Sequence, residues 1–96
     1  MPEKLALILF VNKNNPMIPK IMDDLKRVIG ERFADSYELD LQVLDILDNW
    51  EQAKAANIQV TPTLFKAYPL PLAKVTGDLS DIEKIISLLE LKKTFY

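Results

Sequence analysis

Ninety-six residues carry a formal net charge of −2, an apolar fraction of 49%, no cysteine and no histidine. A chain of this length reads as one domain over residues 1–96, with no clustered basic face of the kind that nucleic-acid binding needs. The missing cysteines exclude disulfides, thiol redox chemistry and thiolate metal sites, and the missing histidines remove the usual general base and the commonest metal ligand, so no cofactor and no metal is expected.

The longest unbroken apolar run, Leu5–Val11, is far shorter than a membrane span, and no secretory signal is visible; a cytoplasmic protein without membrane contact is expected. The same run suits a strand buried on both faces in the middle of a sheet. Asn12-Lys-Asn-Asn15 breaks it, with Asn15 placed to cap a helix that Pro16 opens or that Pro19 delays. Ile18, Ile21, Met22, Leu25, Val28, Ile29 and Phe33 then recur at helical spacing, and Lys20, Asp23, Asp24, Lys26, Arg27 and Glu31 take the other side, which predicts an amphipathic helix packed on a sheet.

Leu39, Leu41 and Val43 alternate with Glu38, Asp40 and Gln42, the signature of a second strand with one wetter face, running to Ile46. Asp48 and Glu51 have the spacing of a capping box for a short helix that carries Trp50, Ala53 and Ala56 and ends at Asn57 in the left-handed conformation. Trp50 is expected in the core. Thr63–Tyr68 reads as a third strand, and Pro69 and Pro71, which cannot donate to a ladder, belong to a turn or an edge. Leu72–Val75 is a short fourth strand, and Gly77-Asp78 turns the chain. Ser80 with Glu83 is a capping box for a last helix whose apolar face is Leu79, Ile82, Ile85, Ile86 and Leu89, with Lys92 and Lys93 near its negative end.

The order βαβαββα defines an α/β chain with a mixed four-stranded sheet: a right-handed crossover between parallel strands, then an antiparallel hairpin under a helix. It is the element order of the thioredoxin fold. That fold implies a cis Thr61–Pro62 bond ahead of the third strand; its redox members set a cysteine pair opposite this proline, where the present chain has Asn12-Lys-Asn-Asn-Pro-Met17. Pro62 is therefore read as a structural turn. Asp40, Asp45, Asp48, Asp78 and Asp81 are read as caps and solvated side chains, because no basic activator accompanies them to make an acid/base pair.

Thr61-Pro-Thr-Leu64, Lys66, Pro69-Leu-Pro71, Lys74 and Gly77-Asp-Leu-Ser-Asp81, in this order and spacing, closely resemble the KaiB family of circadian clock proteins. The first strand, Asn14-x-Pro16 and Val43-Leu-Asp-Ile46 extend the resemblance from about Leu5 to Leu91. It implies a non-enzymatic adaptor that binds a KaiC-like ATPase in circadian timing or a related stress-response system, with a KaiA-like protein or a histidine-kinase sensor domain as further partner. The alternative is a KaiB-like interaction domain that has lost that ATPase and works through another protein or by self-association to a dimer or tetramer. Lys66 and Lys74 are the best interface candidates, with Asp40 and Gln42 on the second strand; family members carry two adjacent basic residues where this chain has Ala73 and Lys74, and a lysine where it has Gln42. The resemblance also implies two folds: a monomeric thioredoxin-like state and a ground-state tetramer whose C-terminal half is rearranged. Pro71, Gly77, Asp78 and Leu88 are the expected fold-determining positions. The family's glycine inside the last helix is Leu88 here, a far better helix former, so the thioredoxin-like state with one continuous helix from about Asp81 to Leu91 is expected.

Overall fold

The computed structural model describes residues 2–91, in the order β1 (Glu3–Val11), α1 (Ile18–Arg32), β2 (Tyr37–Asp45), α2 (Trp50–Ala55), β3 (Thr63–Tyr68), β4 (Ala73–Thr76) and α3 (Ile82–Leu88). The four strands lie in the order β2-β1-β3-β4. β1 runs parallel to β2 and antiparallel to β3, and β3 and β4 form the antiparallel hairpin. This is the expected thioredoxin-like βαβαββα arrangement.

β1 is apolar from Leu5 to Val11, where it is flanked on both edges and both faces. Leu5, Leu7, Leu9 and Val11 point to one side, where they meet Ile21, Leu25 and Ile29 of α1 and Ile85 of α3. Phe10 points to the other and is 1% exposed. Fully burying each of these side chains stabilises the fold by about 1.5–3 kcal/mol. Leu64 and Val75 extend the same layer across β3 and β4, and Leu39, Leu41 and Val43 flank it on β2.

Several ends differ from their sequence readings. α1 starts at Ile18 with Pro19 in its first turn, and its N-cap is Met17, which makes no side-chain capping bond. Asn15 acts one turn earlier, its Oδ1 accepting from the Met17 N–H. α2 is capped by Asn49 without a side-chain bond, so Asp48 and Glu51 form no capping box. Asn57 does end this helix with φ 58°, a conformation that asparagine tolerates better than most residues.

The largest correction is in the last helix. α3 ends at Leu88 rather than Leu91, and Glu90 takes a left-handed φ of 56°. Its N-cap is Asp81, whose carboxylate accepts from the Lys84 N–H at 3.2 Å, and not Ser80. Glu83 is instead drawn out of any capping box by Arg32 of α1, which grips it with two bonds of 2.7 and 2.5 Å. Leu88 is 46% exposed, so it stiffens the last turn through helix propensity and not through burial. Lys92 and Lys93 lie outside the described residues.

The turn from β4 is built as its composition suggests. Gly77 adopts φ +88°, a region that costs glycine least. Asp78 accepts from the Ser80 N–H at 2.9 Å and its pKa is lowered, chiefly by hydrogen bonding from Ser80. Pro71 lies in the exposed turn between β3 and β4, and the Thr61–Pro62, Tyr68–Pro69 and Leu70–Pro71 bonds are all cis.

Asp45 closes the sheet at the C-terminal ends of β1 and β2. Its carboxylate accepts the Leu47 N–H at 2.8 Å and the Lys13 N–H at 2.7 Å, tying the two following loops together. These bonds to the charged form, the Leu47 one foremost, hold its pKa below the ordinary 3.8. A depressed carboxylate pKa adds stability that is present above the unfolded-state value and lost as pH falls through the folded one. Asp45→Ala should therefore lower the melting temperature by a few degrees at pH 7, and the gap from the parent should close as pH drops below about 4. Parallel thermal melts from pH 7 to pH 2.5 test this; a gap that does not change with pH would show that the carboxylate's charge plays no part.

Candidate docking surface on the sheet

Strand register decides which sequence-predicted residues share a face. Gln42 pairs with Ile8, Ile8 with Phe65, and Phe65 with Lys74. Directly paired residues point to the same side, so Gln42, Ile8, Phe65 and Lys74 form one row across the sheet. The neighbouring row is Leu41, Leu7, Lys66 and Ala73, and it points the other way, into the layer under α1 and α3. Lys66 and Lys74 thus stand on opposite faces.

Lys66 is not a surface lysine. It is 1% exposed, among the largest fully buried side chains, and its Nζ donates to the Leu89 carbonyl at 2.6 Å. Leu89 is the C-cap of α3, and a cationic donor at that end complements the carbonyls that a helix leaves unpaired. The correction has a simple physical cause. A lysine stem covers apolar surface as a leucine does while its tip reaches a polar partner, and here α3 supplies the partner inside. In this fold Lys66 offers no charge to a docking protein.

Lys74 remains exposed on β4, but its Nζ also has work within the chain, donating to the Ala56 and Asn57 carbonyls at 3.1 Å each. This pair of bonds lays the end of α2 over the row that contains Phe65, whose ring lies 6.5 Å from that of Phe10. α2 has only six residues, so it covers one end of this face. At the uncovered end sit Gln42, exposed, and Asp40, whose carboxylate lies 3.3 Å from the Lys4 amine.

Composition alone did not reveal the apolar side chains around this face. Trp50, expected in the core, is 58% exposed, and with Leu47 and Val60 it rims a groove of about 460 Å³ between α2 and the segment before β3. Leu70 and Leu72, in the proline turn, are exposed as well. The available signal was position: Leu47 precedes and Trp50 opens a short helix, and Leu70 and Leu72 alternate with prolines, none of them within an apolar repeat.

The carboxylates do not assemble into a reaction centre. Asp45, Asp78 and Asp81 accept backbone N–H groups, as the sequence suggested. Among the described residues no three acidic, histidine or cysteine side chains form a group that could hold a metal ion. The arrangement can present a mixed apolar and polar surface to a macromolecule.

The scaffold is therefore a thioredoxin-like domain with no cysteine pair facing its cis-proline loop. Residues 8–91 match the KaiB domain family, and the chain belongs to that family. The circadian clock oscillator protein KaiB of Microcystis aeruginosa is 40% identical over 86 residues, covering 90% of this chain and 81% of the relative. That of Synechococcus elongatus is 37% identical over 91 residues, covering 94% and 87%. Among solved structures, the N-terminal domain of Synechococcus elongatus SasA superposes with a TM-score of 0.74 at 24% identity, covering 100% of this chain and 92% of that one. The germline thioredoxin Deadhead of Drosophila melanogaster shares the fold with a TM-score of 0.63 at 14% identity.

Burial makes a sharp distinction between the two lysines. Lys66→Met keeps most of the volume but leaves the Leu89 carbonyl unpaired, a cost of about 1–3 kcal/mol. Lys66→Ala adds a cavity, for a total of about 2–5 kcal/mol. Urea unfolding should rank the parent above Met and Met above Ala, with Lys66→Glu least stable. A Glu variant with parental stability would place Lys66 at the surface after all.

Proposed function

We propose that this protein is a non-enzymatic adaptor of the KaiB type, acting in the cytoplasm as one domain and docking on a KaiC-like ATPase in circadian timing or a related stress-response system. The observation that carries this reading is the KaiB domain match from residue 8 to residue 91, which takes in β1 through α3. The open sheet face supports it: Gln42 and Asp40 lie at one end, Lys74 at the other, with exposed Trp50 and Leu72 beside them. Lys66 serves the same surface indirectly by fixing α3 behind it. A KaiA-like protein or a histidine-kinase sensor domain is the further class of partner.

The second reading, a KaiB-like domain that engages a different protein, draws on one specific feature. Of the positions where the family resemblance implies basic residues, Lys74 is basic on this face and Gln42 in the same row is not, while Ala73 is not basic and points to the other side. An acidic ATPase surface would gain little attraction from one exposed lysine, since single surface charges contribute little.

Pull-down of the purified chain with a KaiC-like hexamer in ATP separates the readings: retention on the ATPase supports the first, and no retention at high protein concentration supports the second. Lys74→Glu should weaken retention several-fold and flatten its salt dependence, because rim charges act through long-range attraction, and Lys74→Met, which loses the same two bonds to the end of α2 without reversing the charge, should weaken it less. Retention of Lys74→Glu equal to the parent would move the interface off this face.

A further inference from the structure

The groove of about 460 Å³ beside α2 has walls of three kinds. One is apolar: Leu47, Trp50 and Val60 line it, all more than half exposed. One is charged. Lys54, four residues after Trp50 and so on the same side of α2, is the only ionisable group among the described lining residues. It is exposed and makes no ion pair or hydrogen bond among the described residues. The last wall is backbone. Residues 58–61 cross from the end of α2 to β3 outside any helix or strand, and they are tied at both ends. The Ile58 N–H donates to the Ala53 carbonyl at 2.8 Å, and the Val60 carbonyl accepts from the Thr63 hydroxyl at 2.7 Å. The Gln59, Val60 and Thr61 N–H groups find no acceptor among the described residues.

An occupant of this groove must bring an apolar side chain, a negative charge and hydrogen-bond acceptors together. An extended peptide has all three. Its carbonyls can accept from the three N–H groups, as those of an added strand do. Its side chains two residues apart share a face, so a bulky apolar one can cover Trp50 while a carboxylate reaches Lys54. The charges select the sign: an acidic segment meets a cation, and a basic one would meet a like charge. Nearby acids do not cancel Lys54. Asp45 is occupied by the Lys13 and Leu47 N–H groups, and Asp48 and Glu51 border a separate hollow that shares only Trp50 with the groove. Tryptophan is enriched among the residues that dominate binding energy, and the tethered backbone needs little further ordering. A small ligand fits less well, because small-molecule sites enclose most of their ligand and these apolar walls are more than half exposed.

We propose that the groove is a docking site for an extended acidic segment of a partner protein, with an aromatic or branched apolar side chain on Trp50, a carboxylate at Lys54 and backbone pairing along Gln59–Thr61. Gln42 and Lys74 do not line it, and the site goes beyond docking on an ATPase. It is tested with a peptide and no ATPase, so its failure leaves that docking unaffected.

Trp50 is the one tryptophan of the chain, so its fluorescence reports occupancy directly. The probe is a capped octapeptide of serine and threonine with a central phenylalanine and a glutamate two residues further on. Titration into the full chain should shift the emission with a Kd on the order of 1 mM or below. The amide NMR signals of residues 57–61 should move with it, and exchange of the Gln59, Val60 and Thr61 amides should slow. Glutamine for the peptide's glutamate, or Lys54→Gln in the protein, should each weaken binding about 1.5- to 5-fold. The two changes together should cost no more than either alone, because they remove the same pair. Trp50→Ala should keep the parental circular dichroism spectrum and weaken binding roughly tenfold or more by NMR. Unchanged emission at millimolar peptide, signals that move only outside residues 47–61, or independent effects of the two glutamine changes would each overturn the proposal. So would 3-phenylpropionate binding as tightly as the peptide, which would make the groove a small-molecule site, or emission that changes on dilution of the protein alone, which would make a second copy the occupant.

Discussion

The placement of β1 between β2 and β3 is the constraint on which the remaining structure depends. One strand, apolar from Leu5 to Val11, supplies side chains to both faces of the sheet. Its register with each neighbour then assigns every residue of β2, β3 and β4 to a face, because strand side chains alternate with period two. The outcome separates two adjacent pairs: Phe65 from Lys66, and Ala73 from Lys74. A slip of one residue anywhere in β3 would bring Lys66 to the open face and Phe65 into the layer under α3. The family's basic positions are thus not one surface in this fold but two.

Lys66 shows how that constraint reaches the C-terminal third of the chain. α3 has seven residues, too few to be stable by hydrogen bonding alone. It is held by Ile85 and Leu89 in the core, by the Arg32–Glu83 pair from α1 and by Lys66 from beneath. The pair to Glu83 also raises the Arg32 pKa through hydrogen bonding and attraction. The Lys66 bond explains where the helix stops. The Leu89 carbonyl turns to the amine, and Glu90 then leaves in the left-handed conformation. Among the described residues no buried side-chain nitrogen or oxygen lacks a partner, consistent with a lysine admitted to the core where the end of α3 offers its amine a carbonyl.

The two faces of the sheet consequently differ in kind. Two helices close one of them, while α2, pinned by Lys74, closes only part of the other. Exposed apolar side chains gather near that shorter helix and in the proline turn, as expected of a surface meant to be covered by another molecule. The long β2 edge borders the same uncovered end. No helix among the described residues is long and apolar enough to cross a membrane.

The order and type of the elements were legible in the sequence because they rest on local signals: the Leu5–Val11 run, the spacing from Ile18 to Phe33, the alternation from Glu38 to Val43, and the glycine and asparagine at positive φ. The motifs from Thr61 to Asp81 also carried the family, since they are a matter of residue identity. What only the tertiary structure decided was where side chains of dual character go. Lys66 went inside because α3 brought an unpaired carbonyl to it. Trp50 stayed outside because α2 buries Ala53 against the rest of the chain and leaves Trp50 on the rim of the groove with Leu47 and Val60. Glu83 left its capping box because Arg32 of a distant helix offered a two-point grip. Leu88 ended near solvent because the core took Leu89 instead. Each of these choices depends on a partner remote in the chain, and period and propensity in a sequence report only what neighbours a few residues apart can do.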